Sequence, residues 1–196
     1  MMMSDIELYR LATWSTVLAA IALVISGIAL AIFFAGPGEP FGSINDAFIA
    51  MSLIALIPAV MAVDRLADGH LAPFVRIVTI ATIAGIVLAS VGQILLIVRV
   101  ITLEDSYVTG GLGIVPVLAW FVLVAILALG AHVLPPTVGV LAVASLVSIV
   151  VLAVLSTVTL GPALWVGAVV LVAVVSAWLG SLALAFTAAT PQVAFS

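Results

Sequence analysis

The sequence predicts an all-α fold, a polytopic transmembrane helical bundle with six spans and both termini in the cytoplasm. Hydrophobic residues make up 67% of the 196 residues, whereas charged residues make up only 6%. A soluble globule needs more polar residues than this to cover its surface. The few charges also lie between long apolar segments, and a helix needs about 20 apolar residues to cross a bilayer core.

Each predicted span ends where residues that disfavour a membrane helix appear. Gly36-Pro37 follows the first segment, Glu104-Asp105 follows the third, and Pro135-Pro136 follows the fourth. Prolines end helices, and carboxylates are costly in lipid. Pro58 is the one proline expected inside a span, where it should kink the second helix. The spans of this single membrane domain, residues 1–196, are about 11–35, 45–63, 73–103, 114–133, 137–160 and 162–189.

The arginines predict the orientation of the bundle. With both termini inside the cell, Arg10, Arg65 and Arg76 lie on the cytoplasmic side and Arg99 lies outside. This distribution agrees with the excess of basic residues in the cytoplasmic loops of membrane proteins. We therefore expect a multi-pass protein of the cell membrane, in contact with membrane lipids.

The composition argues against several classes of function. The chain has four basic residues and a net charge of −4, so it offers no basic surface for nucleic acid. It has no cysteine, which excludes disulfides, cysteine-bound zinc and iron–sulfur clusters. The sequence contains no metalloprotease, serine-hydrolase or phosphate-loop motif. We expect no enzyme and no cofactor, and we assign no catalytic, cofactor-binding or metal-binding residue.

The two histidines leave one alternative open. His70 and His132 both fall at the predicted cytoplasmic side, where they could share a metal or hold a haem between them. However, His70 follows Gly69 in a loop, and His132 lies at a helix end. Because neither is placed midway along a span, we favour two solvated histidines at the membrane surface.

Small residues predict the faces along which the helices pack. In lipid, helices associate where small side chains let their backbones approach. Residues spaced alternately by three and four lie on one face of a helix. The first span carries Ser15, Ala19, Ala22, Ser26 and Ala29; the second Ala55, Ala59 and Ala62; the third Ala81, Gly85, Ala89 and Gly92; the sixth Ala173, Ala177 and Gly180.

Gln93 and Arg99 are the most informative polar residues of the third span. Gln93 is the only amide predicted well inside a span, and Arg99 follows Gly92 by seven residues, on the same helical face. One hypothesis is a polar outward-facing vestibule built from Gln93, Arg99 and Asp46. The alternative, which we favour from sequence, is an interhelical hydrogen bond from Gln93 and an ion pair of Arg99 with Glu104, Asp105 or Asp46.

Two loops on the outer side have simple interpretations. In the first, Ser43, Asn45 or Asp46 is expected to cap the N-terminus of the second helix. In the second, the glycine-rich residues 110–113 are expected to form a flexible loop that enters the fourth span, with Pro116 in the first helical turn. A substrate-binding role for the first loop is the less favoured alternative.

Three functions fit this inventory. The first is a small non-catalytic integral membrane protein that acts as a scaffold or accessory subunit, bound to partner membrane subunits or to further copies of itself. The second is a small permease or channel for an apolar or weakly polar solute, which requires a cavity that reaches Gln93 from the outer side. The third is a protein that binds a lipid or a hydrophobic cofactor between its helices.

Overall fold

The computed structural model describes residues 3–36, 38–67, 69, 72–158 and 162–193, with side chains except those of residues 107, 156–158, 162–165 and 191–193. Every regular element in these ranges is an α-helix. The helices are α1 (Asp5–Ala35), α2 (Phe41–Ala55), α3 (Ile57–Leu66), α4 (Ala72–Ile97), α5 (Leu103–Leu129), α6 (Pro136–Val158) and α7 (Pro162–Val193). They provide six segments long and apolar enough to cross a membrane, as predicted, with α2 and α3 forming the second.

The six segments close into a ring. Consecutive segments pack side by side, and α7 returns to pack against α1. Neighbours are antiparallel: the Ser52 hydroxyl donates to the Ala19 carbonyl at 3.0 Å, and the Thr82 hydroxyl donates to the Pro116 carbonyl at 3.1 Å. We call the end at which α1 begins the N-terminal end, and the end at which α1 finishes the distal end.

Large side chains fill the interior of the ring in the half nearer to the N-terminal end. The rings of Phe121 and Trp178 stack with their centroids 4.1 Å apart, and Trp120 meets Trp178 edge-on at 5.4 Å. Trp120 and Trp178 are both fully buried. These contacts join α5 to α7, which are not neighbours in the ring, so the aromatic cluster packs across its centre. The other large, fully buried side chains are Phe186, Ile86, Leu123, Leu127, Leu179, Leu182, Val60, Val63, Val75 and Val124.

Small residues mark the packed faces of α1, α2, α3 and part of α4. All five small residues predicted on the first span are buried, as are the three predicted on the second. The closest approach joins α4 to α5, where a Cβ atom on Gly85 would lie 2.5 Å from the Gly113 carbonyl oxygen. Only glycine permits that distance, so Gly85 and Gly113 set the spacing of these helices.

The small-residue face predicted on the sixth span does not pack within the bundle, so that part of the prediction is wrong, whereas contact of this face with a partner subunit stays a prediction. Ala173 and Ala177 are exposed, and no side chain lies within 4 Å of where a Cβ on Gly180 would stand. The buried face of α7 instead carries large residues, among them Trp178 and Leu182. The interior of the ring is wide enough there to need large side chains, so the small residues of α7 face outward. Ala81 on α4 is also exposed.

The second span begins earlier than expected and is divided in two. Helix α2 starts at Phe41, so Ser43, Asn45 and Asp46 lie within it, and the prediction that one of them caps it is wrong. The helix is interrupted at Leu56, and Pro58 then lies in the first turn of α3. Since proline lacks an N–H group, the first turn of a new helix is where it costs least.

The third and fourth spans meet at a different place from the predicted one. Helix α4 ends at Ile97, six residues before the predicted end at 103. Helix α5 starts at Leu103 rather than near 114, because Thr102 and Asp105 form a capping box. Residues 110–113 are therefore helical rather than a flexible loop, and Pro116 lies inside the helix rather than in its first turn. At its other end, α5 stops at Leu129, before the predicted limit at 133.

Candidate functional site

A cavity of about 790 Å³ lies at the distal end of the ring. It is formed where α1 and α4 end and where α2 and α5 begin, together with the connection between α4 and α5. Its wall contains both apolar and polar side chains. The apolar lining residues are Leu30, Phe33, Phe34, Leu96, Ile97, Ile101 and Leu103, and the polar ones are Glu39, Ser43, Asn45, Asp46, Gln93, Arg99 and Ser106, with Gly42, Gly110 and Gly111 between them.

Gln93 lines this cavity from the penultimate turn of α4. Its carbonyl oxygen Oε1 is buried and has no hydrogen-bond partner in the described part of the chain. The neighbouring Gly92 lies against Thr109 of α5, since a Cβ on Gly92 would be 2.5 Å from the Thr109 hydroxyl oxygen. This contact fixes α4 beside α5 and so holds Gln93 at the wall. An unpaired buried amide oxygen costs about 1–3 kcal/mol, so Gln93 is a destabilised polar group beside the cavity.

Arg99 lies at the cavity, but not on α4. Two backbone bonds end the helix: the Arg99 N–H donates to Leu96 O at 2.9 Å, and the Val100 N–H donates to Leu95 O at 2.9 Å. This is the Schellman pattern, with Arg99 at the position that usually holds glycine and with φ 59°. The expectation that Arg99 shares the helical face of Gly85 and Gly92 is therefore wrong, because the chain turns before reaching it.

The ion pairs expected for Arg99 do not form with any carboxylate that the structure describes. Asp105 instead accepts hydrogen bonds from the Thr102 hydroxyl at 2.7 Å and the Thr102 N–H at 3.1 Å. Its carboxylate thus serves the start of α5. The guanidinium of Arg99 is left exposed at the cavity without a partner of opposite charge.

Asp46 lies on the opposite wall, at the end of a hydrogen-bond chain that begins on α1. The Ser26 hydroxyl donates to Asn45 Oδ1 at 2.7 Å, and Asn45 Nδ2 donates to Asp46 Oδ1 at 3.0 Å. Asn45 is 7% exposed, so it is a second interior amide that the sequence interpretation placed at the helix start instead. The position of Ser26 on the buried face of α1 was the available signal, because a buried hydroxyl facing another helix needs a polar partner.

Glu39 caps the N-terminus of α2, the role that the sequence predicted for Ser43, Asn45 or Asp46. The N–H and the hydroxyl of Ser43 donate to Glu39 Oε2 at 3.4 Å and 3.0 Å. Its other oxygen, Oε1, lies over Gly42, 3.1 Å from where a Cβ on that residue would stand. Glu39 therefore places a second carboxylate at the cavity, close to the first turn of α2.

The structure thus brings Gln93, Arg99 and Asp46 to one cavity and adds Glu39 and Asn45 to them. The cavity contains a cation and two carboxylates that do not pair with each other, and an amide oxygen without a donor. Such a wall can bind groups of both charges from a ligand that also fits against apolar side chains.

The metal alternative rested on the histidines. His70 lies outside the described residues, and His132 is exposed with φ 55°. The residues that the structure does describe contain no group of three or more His, Cys, Asp or Glu side chains arranged to hold a metal ion. Elsewhere at the N-terminal end, Arg65 lies 3.8 Å from Asp5.

A second groove, of about 740 Å³, lies on the outer surface between α1 and α7. It is lined by Trp14, Leu184 and the small residues Ala177 and Gly180, among others. Trp14 and Leu184 are strongly exposed, at 69% and 73%. This groove is mainly apolar and shallow compared with the cavity at the distal end.

No family model, curated protein or solved structure matches the chain.

Proposed function

We propose that this chain is a non-catalytic integral membrane protein of the cell membrane that binds one small amphiphilic molecule, a lipid, in the distal-end cavity. The observation that carries the proposal is the mixed lining of this cavity, which combines charged and amide side chains with aliphatic and aromatic ones. Its volume of about 790 Å³ lies within the usual range of ligand sites, roughly 300–1,000 Å³.

The lining also supports a ligand that enters from the membrane. Phe34 and Leu103 line the cavity and are more than half exposed. The cavity therefore has exposed apolar side chains at its edge, near the end of the bundle. An acyl chain can follow these side chains while its head group lies among the polar residues at the bundle end.

Binding is favoured over passage through the bundle. A permease or channel needs a path from the cavity to the other end of the ring. The interior on that path is filled by the packed rings of Trp120, Phe121 and Trp178 and by the buried side chains around them. A permease would require this cavity beside Gln93 to continue through the bundle. Because the interior beyond it is packed, the cavity supports a binding site that is closed at its inner end.

The test is to fill the cavity without disturbing the fold. Gly110 lines the cavity, and a Cβ at this helical position would meet no atom within 4 Å. We expect Gly110→Phe to fold normally and to lose the lipid that the wild-type protein retains, as seen by native mass spectrometry of protein purified in mild detergent. Gly180→Phe is the matched control, since Gly180 is also helical and also has open space around it. Retention of the same lipid by Gly110→Phe would refute the proposal.

A second candidate is the accessory subunit, favoured by the groove between α1 and α7. Small residues at Ala177 and Gly180 would let a partner helix approach closely there. In that case Gly180→Phe, and not Gly110→Phe, should reduce the size of the complex measured by light scattering in mild detergent. An unchanged size in both variants would count against the groove as an interface.

A further inference from the structure

The opposite charges at the distal-end cavity are separated, whereas two arginines at the N-terminal end form ion pairs. Arg76 lies 3.0 Å from Asp64, and Arg65 lies 3.8 Å from Asp5. Arg99 lines the same cavity as Glu39 and Asp46 but forms no ion pair with either of them. A ligand that carries both charges can therefore contact each sign of charge without breaking an existing pair.

The negative side of the cavity has free acceptors. Asp46 accepts a hydrogen bond on Oδ1 and Glu39 on Oε2, and the structure describes no donor for the other oxygen of either carboxylate. Free carboxylate oxygens of this kind suit a primary ammonium group, which has three N–H donors.

The positive side suits an oxyanion. Arginine binds phosphate and carboxylate through its planar fork of N–H donors. The Schellman turn fixes the backbone of Arg99 at the cavity, and the turn follows directly on α4, which carries Gln93. The anion-binding group, Arg99, therefore lies just after the end of α4. The ammonium-binding groups, Glu39 and Asp46, lie around the start of α2.

We propose that the amphiphile in this cavity has a zwitterionic head group, with a primary ammonium at Glu39 and Asp46 and a phosphate at Arg99. This inference rests on the proposed function, since it names the class of lipid that the same cavity binds. A phospholipid with an ethanolamine head group has this chemistry. A choline head group lacks N–H donors, a glycerol head group lacks the cation, and a diacylglycerol lacks both charges.

The experiment compares four lipids with identical acyl chains, mixed in equal amounts in nanodiscs that contain the purified full-length protein. These are phosphatidylethanolamine, phosphatidylcholine, phosphatidylglycerol and diacylglycerol, and native mass spectrometry measures which lipid stays bound. We expect phosphatidylethanolamine to be enriched about fivefold to tenfold over each of the others, the range that one or two charged contacts at an exposed site produce. Equal retention of all four lipids would overturn the inference.

Charge variants identify the two halves of the site. Arg99→Gln should reduce the preference for phosphatidylethanolamine over diacylglycerol, and Asp46→Asn should reduce the preference over phosphatidylglycerol, each by about fivefold. Arg10→Gln and Glu104→Gln are the controls, because both residues are exposed and neither lines the cavity. Selectivity that is the same in the cavity variants and in the controls would contradict the assignment of these residues.

Two further arms separate the possible failures. If Gly110→Phe abolishes retention of every lipid but wild type shows no head-group preference, the cavity binds lipid and only the zwitterion is wrong. If Gly110→Phe retains lipid as wild type does, the proposed function itself fails. Soluble glycerophosphoethanolamine tests the source of the head group, and binding of this compound as tightly as the whole lipid would overturn the role of the acyl chains.

Discussion

At the residue scale, the polar groups of the distal end divide into those that hold the fold and those that remain free for a ligand. Ser26 and Asn45 bond to each other across α1 and α2, and Asp105 is occupied by the cap of α5. Gln93 Oε1 and the guanidinium of Arg99 have no such partner in the described chain. Arg99 is exposed at the cavity, so a ligand can reach its guanidinium without displacing an ion-pair partner that the structure describes.

The Ser26–Asn45 bond gives a stability prediction for single residues. Asn45→Ala removes a buried acceptor of the Ser26 hydroxyl and should lower the free energy of unfolding by about 1–2 kcal/mol. A double-mutant cycle with Ser26→Ala should give a coupling energy of about 0.6–1.7 kcal/mol, as for hydrogen bonds between membrane helices. Unfolding in mixed detergent micelles is the measurement. Strictly additive effects would show that the two residues do not interact.

The sequence singles out Gln93, Arg99 and Asp46, which line the cavity. It does not predict that Arg99 lies in a turn or that Asp46 lies inside α2. Gln93, Arg99 and Asp46 were singled out because lipid rejects such side chains. The end of α4 was missed because it has arginine where glycine usually signals a Schellman turn. Asn45 was missed because an amide near the start of a helix suits a cap as well as an interior bond, and only the facing Ser26 decides between them.

At the element scale, the closest contact in the bundle is the crossing of α4 and α5. Each of Gly85 and Gly113 lies against the carbonyl of the other, so neither has room for a Cβ. The sequence predicted the small-residue face of α4 from its spacing. The sequence does not predict Gly113 as the partner of this face, because glycines 110–113 are typical of a loop. The capping box at Thr102 makes them helical.

This crossing predicts opposite effects for two glycine-to-alanine substitutions. Gly85→Ala should destabilise the bundle by about 1–3 kcal/mol, because its methyl group would stand 2.5 Å from a backbone oxygen and the helices must separate. Gly110→Ala should be neutral or stabilising by up to about 1 kcal/mol, because the position is helical and open. Both are measured by the same unfolding experiment, and equal effects would refute the close packing of the two helices.

At the scale of the whole molecule, the number of apolar segments followed from composition alone, whereas their closure into a ring did not. Length and hydropathy are local properties of a segment. Which helix packs against α1 depends on contacts between residues far apart in sequence, such as Gly27 against Val172. The same holds for the aromatic cluster, since a tryptophan inside a span is equally compatible with the interface and the interior until its neighbours are known.

The orientation of the ring remains a prediction. Arg10, Arg65 and Arg76 lie towards the N-terminal end, and the bias of basic residues towards the cytoplasm places that end inside the cell. The natural chain has no cysteine, so a single introduced thiol can be labelled without background. We expect Glu104→Cys to react with an impermeant maleimide in intact cells and Met3→Cys to react only after permeabilisation. The reverse pattern would place the cavity in the cytoplasm.

At Arg99, a substitution that stabilises the backbone would also remove a contact on which ligand selectivity depends. A non-glycine residue with φ 59° is strained, and glycine would relax the backbone by about 1 kcal/mol. The same exchange would delete the cation that distinguishes this cavity from a purely acidic one. Selection of variants for thermal stability alone would therefore favour a more stable bundle that no longer discriminates among ligands.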